Sequence, residues 1–180
     1  EVKIEAIHHL HDDSMNEMVG LLKEQVDWAN EPESVQIEFL RARLISHTTS
    51  DLNRLLKSTN QKIVAEAMIL SVECDGVEGH RDRILQWINT DDRDLQHAAA
   101  YVIGHVHDPV LLDHLPSLVT VVPVAVAEAC ALNPNPNLAE TCVLCLEDQA
   151  SFLFAREALT QMGIVAVGEL KKAARKEGPS

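Results

Sequence analysis

The chain is acidic and aliphatic: it has 180 residues, a net charge of -13 and 46% hydrophobic side chains, but only 3% aromatic ones. This composition excludes a disordered chain, and the charge argues against a nucleic-acid-binding protein, whose affinity rests mainly on Lys and Arg. No apolar stretch reaches the roughly 18 residues that span a bilayer, so we also expect no membrane insertion. Neither Lys nor Arg occurs between Arg93 and Arg156, where the acids are Asp94, Asp108, Asp113, Glu128, Glu140, Glu147 and Asp148.

Apolar residues recur at spacings of three and four along the chain, which predicts an all-α protein built of helical pairs. We treat residues 1–180 as a single domain and expect its terminal pairs to be the least regular, because one side of each faces water. Since the chain starts at Glu1 and not at a methionine, we expect a fragment of a longer protein. The approximate limits of the pairs are 1–30, 31–59, 60–90, 91–121, 122–148 and 149–176.

The fourth pair shows the pattern most clearly. Its first helix starts with Asp91, Asp92 and Asp94, which offer N-terminal caps and a favourable charge on the first turn. The alanines at 98–100 are expected to allow a neighbouring helix to approach closely. Gly104 is expected to loosen the last turn, after which Asp108-Pro109 starts the second helix with a cap and a proline at the first position. Pro116 lies inside that second helix and is expected to bend it.

The same landmarks recur in the neighbouring pairs at constant spacings. Ala65, Ala98 and Ala127 are separated by 33 and 29 residues, and Leu159 extends a separate leucine series into the last pair, 27 residues after Leu132. Three series that keep one register predict a repeat array more strongly than a loose periodicity does. The other two series are Leu70, Ile103 and Leu132, and Asp75, Asp108 and Asn137.

These landmarks resemble the HEAT repeat, in particular the short bacterial form first described in phycobilisome lyases. The matching features are the acidic start at Asp91-Asp92, the three alanines, Ile103-Gly104, and Asp108-Pro109 followed by leucines. The resemblance is good over residues 60–146 and extends over 30–176. It implies an armadillo-like, right-handed α-α solenoid of about five to six HEAT-like helical hairpins, whose second helices line the concave side. Because such arrays serve as protein-binding scaffolds, bilin lyases and DNA-glycosylase relatives, the resemblance implies a shape rather than a reaction.

The resemblance also gives a candidate binding surface on the second helices. Trp87 is its one large side chain, and such residues often dominate interface energy, although ordinary packing against the neighbouring pair is an alternative. The acids of the surface either attract a basic protein segment or only keep the array soluble. The candidate residues are Arg83, Trp87, Asp113, His114, Ser117, Glu140, Thr141, Leu144 and Glu147.

The cysteines and histidines offer metal or redox chemistry as an alternative. Cys142 and Cys145 form a CxxC near Cys130, but a zinc site needs a fourth ligand and a redox pair needs a helix N-terminus. This CxxC lies mid-helix between leucines, so we expect buried structural thiols, as for Cys74 among its own apolar neighbours. His105 and His107 would suit a metal only if the helix has ended there. The other clustered histidines are His8, His9, His11, His97 and His114.

We therefore expect a non-catalytic scaffold or adaptor that binds another protein, or a segment of its own parent chain, without a cofactor. The sequence contains no GxSxG, Walker loop, GxGxxG or HExxH motif. The alternative is a lyase-like or metal-dependent enzyme on the same scaffold, using histidines and acids. Cysteines among apolar neighbours favour a cytoplasmic location.

Overall fold

The computed structural model describes residues 31–41 and 49–176, and every regular element in these ranges is a helix. This confirms the all-α prediction for the described part of the chain, in which no helix is long and apolar enough to cross a bilayer. The chain divides into two compact units between Gly76 and Val77. That boundary falls inside the predicted pair at 60–90, and the single-domain organisation stays a prediction. The predicted pair at 1–30, with its three histidines, lies outside the described residues.

The first unit is organised around its longest described helix. Here α1 is Glu33–Arg41, α2 is Thr49–Leu55 and α3 is Gln61–Asp75. The Asn60 side chain caps α3 by accepting hydrogen bonds from the backbone N–H groups of Lys62 (3.0 Å) and Ile63 (3.5 Å). Because α3 packs against both α1 and α2, all its residues from Ile63 to Ser71 are buried.

The second unit contains both short and long helices. Three of the longer helices pack in series, with α8 lying between α5 and α10. The shorter α7 and α9 also contact α8, and α11 packs on α9 and α10. The α-helices are α4 (Arg81–Ile88), α5 (Arg93–Val106), α6 (Pro109–Leu112), α7 (Leu115–Leu118), α8 (Pro123–Leu132), α9 (Ala139–Cys145), α10 (Phe152–Met162) and α11 (Ile164–Lys176), and a 3-10 turn at Pro136–Leu138 precedes α9.

Gly104 has a different role from the one that the sequence suggests. It is buried inside α5, where a Cβ atom would lie 2.7 Å from the Cα and 3.1 Å from the Cβ of Ala129. Glycine is therefore needed for the close approach of α5 and α8, not for loosening a turn. The backbone reverses instead at His107, which has the left-handed conformation with φ 52° and ψ 30°.

The start of the following helix confirms the predicted cap. The Asp108 carboxylate accepts a hydrogen bond from the backbone N–H of Leu111 at 2.9 Å, and Pro109 occupies the first helical position. The same carboxylate pairs with the Arg81 guanidinium, with an Nη2–Oδ2 distance of 2.7 Å. This ion pair joins the start of α4 to the turn between α5 and α6. Because Asp108 is buried, the pair is partly shielded from water.

The second helix of this pair is interrupted rather than bent. It ends at Leu112 and restarts at Leu115, so that α6 and α7 are separate single turns. Pro116 explains the interruption, because it has no N–H to donate to the Leu112 carbonyl and its ring would clash with that group.

Some landmarks of the repeat depart from their predicted places. Leu132 ends α8 with 48% of its surface exposed, and Asp75 ends α3 instead of starting a helix. In the next pair, Asn135 caps the 3-10 turn by accepting a hydrogen bond from the backbone N–H of Asn137 at 3.0 Å. The alanine series is buried as expected, and so is Leu159. The small buried residues therefore occupy equivalent places in successive pairs more consistently than the polar landmarks do.

Candidate functional site

Most of the predicted binding residues reach the surface, but two do not. Trp87 and Thr141 are only 7% and 4% exposed, so neither offers a side chain to a partner. Trp87 lies on the core-facing side of α4 with Ile84 and Ile88, which fits the alternative of ordinary packing. Arg83 and His114 are half-buried, and the exposed candidates are Asp113, Ser117, Glu140, Leu144 and Glu147.

The burial of Trp87 changes the role of Arg83. The Arg83 guanidinium carbon lies 5.8 Å from the centroid of the indole ring, within the range of a cation–π contact. Arg83 therefore lies beside a buried ring, and its contact with Trp87 is a local packing contact within α4.

The exposed candidates on α9 and in the turn after it lie along one side, here named the α9 face (Glu140 and Leu144 on the helix, Glu147 in the turn). Their spacings of four and three place them on one stripe, opposite the buried Thr141, Cys142 and Cys145. The turn continues past the end of α9, because the Glu147 N–H donates to the Leu144 carbonyl at 3.3 Å. Leu144 is 48% exposed between the two acids, so the α9 face combines an apolar centre with negative ends.

Two further residues, Asp113 and Ser117, are exposed along α6 and α7. Asp113 directly follows α6, and the Ser117 hydroxyl donates a hydrogen bond to the His114 carbonyl at 2.7 Å. The Ser117 hydroxyl is thus already used within its own turn, and Asp113 is the charged group that this segment presents to solvent.

The negative charge of the region is less uniform than the sequence suggests. Asp108 is neutralised by Arg81 and does not contribute to the surface. At the other end, Lys172 of α11 pairs with Glu169 at 2.6 Å. The hydrogen bond that Lys172 donates to Glu169 and the negative charge of Glu169 raise the pKa of Lys172, and the charge of Glu140 adds to that rise. A positive side chain therefore lies within electrostatic reach of the α9 face.

A cleft that sequence analysis missed lies at the N-terminal ends of α5 and α8. Its volume is about 530 Å³, and its charged groups are of both signs: Arg93, Asp94 and Asp148, with His97 beside them. Asp148 also accepts a hydrogen bond from the Ser151 backbone N–H at 2.9 Å. The rest of the lining is Val122, Pro123, Val124, Ala125 and Ala150. Because the charges are mixed and no recognised motif spans these positions, the cleft specifies no ligand class.

The three clustered cysteines are buried thiols, as predicted, whereas Cys74 is exposed near the end of α3. A hydrogen bond with Cys142 and burial raise the pKa of the Cys130 thiol, and burial raises the pKa of Cys145 to about 12. A nucleophilic or redox thiol needs the opposite shift. The geometry therefore favours packing as the role of Cys130, Cys142 and Cys145.

The histidines of the HxH motif do not converge. Because α5 continues to Val106, His105 stays on the helix, where its Nδ1 lies 2.9 Å from the Tyr101 carbonyl oxygen. His107 follows the helix and is exposed. Over residues 31–41 and 49–176, no three His, Cys, Asp or Glu side chains are grouped to hold a metal ion.

Comparison with protein-family models, with curated proteins and with solved structures gives no match for this chain. The functional interpretation therefore depends on the geometry of the described residues.

Proposed function

We propose that the chain is a non-catalytic, protein-binding scaffold whose helical pairs form a right-handed, HEAT-like solenoid. The serial packing of α5, α8 and α10, with α9 and α11 contacting each other beside them, supports this arrangement. The alanine register and the close approach at Gly104 support it as well, because stacked helical pairs need small residues where their first helices meet. The buried thiols support a cytoplasmic location.

The observation that carries the proposed binding role is the α9 face. A half-exposed leucine between two exposed acids suits a partner segment that carries a basic side chain on each side of an apolar one. Asp113 adds a further exposed acid on the same polypeptide stretch, which contains no Lys or Arg from 94 to 155.

The acids should act more on the association rate than on the final affinity. A surface of one sign steers an oppositely charged partner during diffusion, and this steering weakens as salt screens it. Each exposed ion pair contributes roughly 0.2–1 kcal/mol, so three pairs together would change the affinity by about tenfold. Leu144 would supply the apolar contact that slows dissociation.

The test is the triple variant Asp113→Lys, Glu140→Lys and Glu147→Lys, assayed against the protein that co-purifies with the wild type. We expect slower association than for the wild type, whose own rate should fall as the salt concentration rises. A matched control reverses three exposed acids elsewhere, Glu78→Lys, Asp91→Lys and Glu157→Lys, and should associate faster than the first variant. If the first triple variant folds normally and associates at the wild-type rate, the proposed surface is wrong.

A further inference from the structure

We draw no further inference here: the strongest candidate, the surface patch of exposed apolar side chains on the last described helix, α11 (Ile164, Val165, Val167 and Leu170), carries nothing because nothing in the structure shows what covers it.

Discussion

Replacing Gly104 by alanine tests how closely α5 and α8 pack. The new Cβ would lie 2.7 Å from the Ala129 Cα, so a backbone atom of α8 has to move. Since α10 packs on α8 as well, the displacement cannot be absorbed by one flexible side chain. Overpacking costs about 1–3 kcal/mol, whereas alanine in a helix is about 1 kcal/mol better than glycine. We expect the free energy of unfolding to fall by about 1–2 kcal/mol, because a clash with backbone lies at the upper end of that range.

Urea denaturation followed by circular dichroism measures this change, and Gly168 provides the matched control. Gly168 lies in α11 with no atom within 4 Å of the position that a Cβ would take. Gly168→Ala should therefore show only the helix-forming gain of up to about 1 kcal/mol, opposite in sign to the change at Gly104. If Gly104→Ala is as stable as the wild type or more stable, the two helices are not as close as described.

Three further predictions concern single side chains. Burial alone would raise the pKa of Asp108, but the hydrogen bonds from Arg81 and Leu111 and the charge of Arg81 hold it below the ordinary 3.8. The ionised carboxylate therefore stabilises the fold above that pH, and this contribution is lost as the pH falls below it. Asp108→Ala should lower the free energy of unfolding by about 2 kcal/mol at neutral pH. If the difference in unfolding free energy between wild type and variant does not shrink in acid, this reasoning is wrong. Of the four thiols only Cys74 should react rapidly with a thiol reagent in the native state, since a pKa of about 12 leaves Cys145 protonated; a second fast thiol would be inconsistent with the buried cluster. His107→Gly should stabilise the fold by about 1 kcal/mol and so raise the melting temperature, because glycine adopts the left-handed conformation of residue 107 without steric cost. A lower melting temperature would refute that reason.

The helix starts could be predicted from the sequence because they depend on neighbouring residues. The packing between helices could be predicted less well because it depends on residues far apart in the chain. Asp108-Pro109 signals a cap through the residue types alone, and the structure shows that cap. Gly104 was misread because the residue that requires it, Ala129, lies 25 positions away in the chain and only the packing of α5 on α8 brings the two together.

Only part of the candidate surface could be predicted from the sequence, because part of it depends on helical spacing and part on how the helices pack. The stripe that carries Glu140, Leu144 and Glu147 follows from helical spacing, which a sequence displays directly. Trp87 could not be assigned in this way, because its burial depends on which side of α4 faces the core. The apolar residues of α11 are visible in the sequence, but their exposure is not, because it depends on how α11 packs against α9 and α10.

Carboxyl footprinting of the complex with the co-purified protein tests the central proposal, a protein-binding α9 face, most directly. Carbodiimide labelling with mass spectrometry reports how accessible each carboxylate is in the free and bound states. We predict that Asp113, Glu140 and Glu147 lose most of their labelling on binding, while Glu78 and Asp91, exposed acids that precede α4 and α5, keep theirs. Unchanged labelling of Glu140 and Glu147 in a complex that protects Asp94 and Asp148 instead would place the partner in the cleft and contradict the proposal.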